Sequence, residues 1–233
     1  MNKDSLVRLT LPVMANRAGW LLRFLPAHRG WKISSLGDGT YEIRYASYRM
    51  RMNREYALNT FNEDGILRGL YLPGHSIAER VVLDVGAGCG ETAALFLAAG
   101  AKSVVCIEPN KAAFGFLVEN IEKNNWENQV SPIEEPFRVS HLDIPHDYLK
   151  MDCEGGESEL LKANGIREGV VVLHPGIIGA AVASQIADRL GLTRGDSEAF
   201  GGEELWVKSG DAAGPSALPR QPEASGASPT RHD

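Results

Sequence analysis

The stretch Val81-Val82-Leu83-Asp84-Val85-Gly86-Ala87-Gly88-Cys89-Gly90-Glu91-Thr92 constrains the fold more than any other part of the chain. An apolar strand runs into a turn with glycine at alternate positions, and the turn opens a helix, ETAALFLAAG. Glycines there let the backbone turn tightly and approach a ligand, while the helix start offers free N–H groups. The string is not the dinucleotide fingerprint, because Glu91 stands where the third glycine of G-x-G-x-x-G belongs. A pyrophosphate there would face two anions, Asp84 and Glu91. A ligand with a cationic end suits them better.

The pattern after this turn repeats strand and helix. SVVCIE reads as a second strand and KAAFGFLVENIEKNN as a helix with Phe114, Leu117 and Ile121 on one face. QVSPI, DYLKMD and VVVLH read as further strands, with ESELLKANG, closed by Gly165, and IIGAAVASQIADRLG as helices and ELWVKS as a late strand. Continuous apolar strands separated by helices predict an α/β, Rossmann-like, mostly parallel seven-stranded sheet with helices on both faces. Glu108 closes the second strand 18 residues beyond Gly90, where a carboxylate accepts ribose hydroxyls in dinucleotide-binding units. A sulfonium and an ammonium beside Asp84, with a ribose at Glu108, point to S-adenosylmethionine as the cofactor.

The rest of the chain has a different character. Residues 5–26 read as helical, interrupted at Pro12, and Gly37-Asp38-Gly39 predicts a hairpin between WKISSL and TYEIRYASYRMRMN. Residues 53–71 place Leu58, Phe61, Ile66, Leu67 and Leu70 at helical spacing. The first 56 residues hold ten Lys and Arg against four acids, although the whole chain carries a net charge of -6. Such asymmetry marks a surface for an anionic partner or a set of solvated faces. The division expected is an N-terminal helix and hairpin extension over 1–71, covering the acceptor side, a cofactor-binding domain over 72–208 and a disordered tail over 209–233, which is rich in Ala, Ser, Pro and Gly. No run is apolar for long enough to span a bilayer, no signal peptide is read, and Cys89, Cys106 and Cys153 show no zinc spacing. A cytoplasmic protein is expected.

Three strings over residues 80–175 resemble class I methyltransferases, and more narrowly the FkbM family: VVLDVGAGCGETAALFLAAGA, VVCIEPNKAAFGFLVENIEKNN and DYLKMDCEGGESELL. The last is similar to that family's Lys-Ile-Asp-Val-Glu-Gly-Ala-Glu signature at Lys150, Asp152, Glu154, Gly155 and Glu157. Leu173-His174-Pro175 departs from the acid and His usual after the fifth strand, and only Glu134 and Glu135 lie near the expected adenine pocket. The cofactor set expected is Asp84, Gly86, Ala87, Gly88, Glu91, Thr92, Glu108, Pro109, Asn110 and Glu134. Asp152, Glu154 and His174 are the catalytic candidates: Asp152 for the cofactor or an acceptor hydroxyl, Glu154 as base, His174 as the alternative base. The three also suit a divalent metal, but their spacing does not demand one and none is expected.

The resemblance implies O-methylation of a small hydroxylated molecule or sugar. The alternatives are an RNA methyltransferase using the basic N-terminal region, where Tyr41, Tyr45, Tyr48 and Tyr56 lie among the arginines, and a non-catalytic S-adenosylmethionine-binding protein.

Overall fold

The computed structural model describes residues 31–58, 60, 71–72, 76–195 and 203–210. The helical reading of residues 5–26, most of that of 53–71, and the tail beyond Gly210 lie outside these residues. Residues 54–58 are helical, as their spacing predicts.

Seven strands form one sheet: β4 (Val81–Val85), β5 (Ser103–Ile107), β6 (Val130–Ile133), β7 (Tyr148–Met151), β8 (Gly169–Leu173), β9 (Thr193–Arg194) and β10 (Glu204–Lys208). Their order is β6-β5-β4-β7-β8-β10-β9, and β10 alone runs against its neighbours. Alternation along β8 shows why the strands read as unbroken apolar runs. Val170 and Val172 enter the core on one face, Val171 and Leu173 the core on the other.

Helix α1 (Glu91–Ala98) follows the glycine turn and buries every residue from Thr92 to Leu97. It ends in a Schellman arrangement: Gly100 takes φ 91, its N–H donates to Leu97 O, and the N–H of Ala101 donates to Phe96 O. Helix α2 (Lys111–Asn124) starts at Asn110, whose side chain accepts from the N–H groups of Ala112 and Ala113. Two local readings change. ESELLKANG is a 3-10 segment, Gly156–Lys162, that stops at Ala163 rather than Gly165. The segment after β8 divides at Gly179 into α3 (Pro175–Ile178) and α4 (Ala180–Leu190).

The expected hairpin is a three-stranded antiparallel sheet of β1 (Trp31–Ser35), β2 (Thr40–Tyr45) and β3 (Tyr48–Asn53). Its second turn was not legible because Ala46, with φ 51, does what glycine or asparagine usually does. Tyr41, Ile43, Tyr45, Met50 and Met52 are buried in the core. The outer edge of β3 is closed by side chains of α2. Asn120 accepts from Arg51 N–H at 2.6 Å and donates to Arg51 O at 2.8 Å, while Asn124 pairs with Arg49 in the same way. No described helix is long and apolar enough to cross a membrane.

Candidate active site

The carboxyl ends of β4, β5 and β7 meet around a cavity of about 380 Å3, where ligands bind in open α/β sheets. A hollow of about 560 Å3 at the amino ends of β4, β7 and β8 has no glycine turn, so the smaller cavity is the candidate site.

Gly86 turns with φ 78, and a Cβ there would stand 1.8 Å from the carbonyl oxygen of Asp152. Only glycine lets β4 leave the sheet so close to the end of β7. A buried pair supports this crossing. Lys150, 1% exposed, donates to Gly86 O at 2.6 Å and lies 3.0 Å from Oδ1 of Asp84, itself fully buried. Thr92 Oγ1 donates to the other Asp84 oxygen at 2.5 Å. Burial works to lower the Lys150 pKa, but the charges of Asp84, Asp152 and Glu91 outweigh it and hold the ammonium above its usual range.

Glu108 is held from two sides. Its carboxylate accepts from Gly88 N–H at 2.8 Å and Asn110 N–H at 2.7 Å, so it joins the glycine turn to the start of α2. Burial raises its pKa, against the pull of those two N–H groups. Glu91 accepts from Cys89 N–H at 2.9 Å, and burial pushes its carboxyl up to about 7.

Of the candidate cofactor set, Gly86, Gly88, Glu91, Thr92, Glu108, Pro109 and Asn110 line the cavity. Three other members stand elsewhere. Asp84 is spent on Lys150 and Thr92 behind the wall, Ala87 is fully buried, and Glu134 is exposed past the end of β6 and does not line the cavity. Burial also pushes the thiols of Cys89, Cys106 and Cys153 upward, which leaves them un-ionised at neutral pH.

Asp152, Glu154 and two tyrosines, Tyr56 and Tyr71, also line the cavity. Tyr71 OH donates to Asp152 Oδ2 at 2.5 Å, its ring lies 5.0 Å from Lys150 Nζ, and its carbonyl accepts from Tyr148 OH at 2.7 Å. His174 Nε2 stands 3.5 Å from Asp152 Oδ1, and its Nδ1 is hydrogen-bonded to the fully buried Glu157. Burial opposes protonation of His174, yet the Glu157 bond and the charges of Asp152, Glu157 and Glu203 raise its pKa. Glu154 is exposed with φ 46. The catalytic candidates therefore separate: Asp152 and His174 form one network and Glu154 stands apart. Among the described residues no three His, Cys, Asp or Glu side chains converge to hold a metal.

Tyr71, Lys150 and Glu157 were absent from the expected site. Lys150 and Glu157 carry a signal within DYLKMDCEGGE, since a Lys in an apolar strand needs a buried anion. Tyr71 carries none.

A glycine cradle, a preset carboxylate at the ribose position and an acid beside them fit S-adenosylmethionine. Fold and site together define a class I S-adenosylmethionine-dependent methyltransferase. More particularly, residues 73–175 match the sequence model of the TRM5/TYW2 methyltransferase domain.

Similar solved structures include the M. jannaschii tRNA m1G37 methyltransferase (14% identity, 81% of this chain and 64% of that one, TM-score 0.47). Another is M. jannaschii TYW2 in complex with AdoMet (17%, 78% and 86%, TM-score 0.45). A third is a Pyrococcus horikoshii protein classed as an RNA methyltransferase (25%, 41% and 50%, TM-score 0.32). The chain thus spans half of the P. horikoshii protein and less than two thirds of the tRNA m1G37 enzyme. The sequence model that matches supports neither the narrower FkbM resemblance nor a small-molecule acceptor.

Proposed function

We propose that this chain is a methyltransferase acting on RNA. The observation that carries the reading is the match to the TRM5/TYW2 domain over 73–175, a span that holds the glycine turn, Glu108, Asp152 and His174. One of the structures similar to this one is a tRNA methyltransferase.

Glu108 holds the ribose of the cofactor, and Glu91 faces its cationic end. Bound S-adenosylmethionine supplies a methyl group on a sulfonium, so transfer is an in-line displacement that leaves a neutral thioether. Alignment of the acceptor supplies much of the rate. An acceptor nitrogen or oxygen that bears hydrogen must release a proton as the new bond forms. Asp152 accepts that proton, oriented by Tyr71 on one oxygen and backed by His174 on the other. His174, whose protonated form the neighbouring carboxylates favour against the cost of burial, orients Asp152 rather than acting as the base. Glu154, exposed at the rim, contacts the acceptor. Tyr56 and Tyr71, which line the cavity, contact the acceptor from the N-terminal side of β4.

The basic N-terminal region supports the reading in a different form from that first expected. Tyr41 and Tyr45 are buried in the core and Tyr48 packs edge-on against Trp126 at 4.9 Å, so three of the four tyrosines are structural. Tyr56 alone is placed to stack on an acceptor base.

The test is transfer of radiolabel from methyl-labelled S-adenosylmethionine into fractionated host RNA and metabolite pools. Label in RNA, lost after nuclease digestion to nucleotides and recovered as a methylated nucleoside, is the expected result. Label confined to small hydroxylated metabolites would overturn the proposal.

A further inference from the structure

The register of the small sheet sets up an arrangement that hydropathy does not reveal. Lys32 lies opposite Arg44, and Arg44 lies opposite Arg49, so three cations form one row across β1, β2 and β3. All three are exposed. Like charges directly opposite one another weaken a sheet, so the row is a cost to the free protein.

The neighbouring row behaves differently. Ser34, Glu42 and Arg51 face each other there, and every charge is balanced. Arg51 pairs with Asp38 at 2.6 Å and Glu119 at 3.2 Å, and Glu42 is shared between Arg44 at 2.7 Å and Lys123 at 3.2 Å. Among the described residues no carboxylate is within ion-pair distance of Lys32 or Arg49. Excess positive charge is thus concentrated at Lys32 and Arg49, with Arg44 between them sharing Glu42 with Lys123.

Its place in the fold says what could use it. Asn124, at the far end of α2, grips the backbone of Arg49, while Asn110, at the near end, lines the cavity. Fourteen residues of helix separate them, about 20 Å at 1.5 Å per residue. A small acceptor in the cavity cannot reach that far, whereas a polynucleotide strand leaving the cavity can. Guanidinium groups match phosphate oxygens in a planar, two-pronged geometry that a lone ammonium lacks.

We propose that the Lys32–Arg44–Arg49 row is a docking strip for the phosphate backbone of an RNA whose target nucleotide occupies the cavity. The inference rests on the RNA reading above and goes beyond it in naming the surface and the contacts.

The experiment measures binding of unfractionated tRNA to the full chain by fluorescence anisotropy between 50 and 200 mM NaCl. The variants are Lys32→Gln/Arg44→Gln/Arg49→Gln and a control of equal charge change, Lys102→Gln/Lys162→Gln/Arg167→Gln. Each phosphate contact contributes about 0.7 to 0.9 to the slope of log affinity against log salt. The row variant is expected to lose about 2 from that slope and at least tenfold in affinity. It should keep its cofactor affinity and melt within a few degrees of the wild type, because relief of the like-charge row offsets the lost Arg44–Glu42 pair and Lys123 still faces Glu42. The control should change the slope by less than half as much.

Tight tRNA binding with an unchanged slope in the row variant overturns the strip and leaves RNA as the acceptor. Equal losses in the two variants also overturn it, since net charge would then explain the effect. Failure of the wild type to bind tRNA at any salt retires both the strip and the RNA reading.

Discussion

Replacing Lys150 with methionine tests whether the buried pair at the centre of the sheet holds the site together. Lys150 and Asp84 are 1% and 0% exposed and stand 3.0 Å apart. At an effective dielectric constant near 20 their attraction is about 5 kcal/mol. Much of that offsets the loss of water around both charges, so the net worth of the pair is small. Breaking it is another matter, because Asp84 would keep its charge with only the Thr92 hydroxyl to solvate it. Removing one partner of a buried pair costs about 3–5 kcal/mol, and the Gly86 carbonyl loses its donor as well. Lys150→Met should therefore destabilise the protein by about 3–5 kcal/mol in urea unfolding, or about 6–20 °C in Tm at 2–4 °C per kcal/mol. Asp84→Asn combined with Lys150→Met should be more stable than the sum of the single changes by about 2 kcal/mol or more, since no buried charge remains. A Lys150→Met loss under about 1 kcal/mol, or strict additivity, would refute the argument.

Because burial holds the Glu91 carboxyl near 7, the free site keeps a proton below that pH, and binding a cationic ligand releases it. Cofactor affinity measured by calorimetry should therefore rise up to tenfold per unit between pH 5.5 and 7.0, a dependence that Glu91→Gln should abolish; a flat wild-type profile would contradict this. Tyr71→Phe removes a hydroxyl bonded to a carboxylate, worth about 1.5 to 3 kcal/mol, and should lower kcat roughly ten- to hundredfold with the cofactor dissociation constant changed less than threefold. Asn120→Ala leaves Arg51 N–H and the Arg51 and Cys89 carbonyls without their partner. It should cost about 2 kcal/mol or more in unfolding experiments and weaken cofactor binding, because Cys89 belongs to the glycine turn.

The alternation of strand and helix after Arg80, the glycine turn and the carboxylate at Glu108 were all legible in the sequence, because each is encoded within a dozen residues. The rest depends on contacts between distant segments. Tyr71 meets Asp152 across 81 positions, and nothing local distinguishes it from a core tyrosine. Asp84 sits at a strand end that looks ligand-facing, yet the side chain of Lys150 on the adjacent strand turns it inward. Glu157 reads as a helix-start acid until its bond to His174 is seen. The tyrosines of β2 and β3 alternate with arginines, a pattern that suits stacking on nucleotides and equally a half-buried sheet. The register with α2 and Trp126 decides for the sheet.

The proposal that Asp152 accepts the proton of an RNA acceptor is tested most directly by single-turnover methyl transfer with Asp152→Asn. That change keeps the shape of the side chain and removes its basicity. With a methylatable RNA in hand, rapid-quench rates at saturating cofactor should fall roughly 10²–10⁴-fold, while the cofactor dissociation constant stays within about threefold of wild type. A variant that transfers methyl at the wild-type rate, or whose loss is explained by weakened cofactor binding alone, would contradict the account.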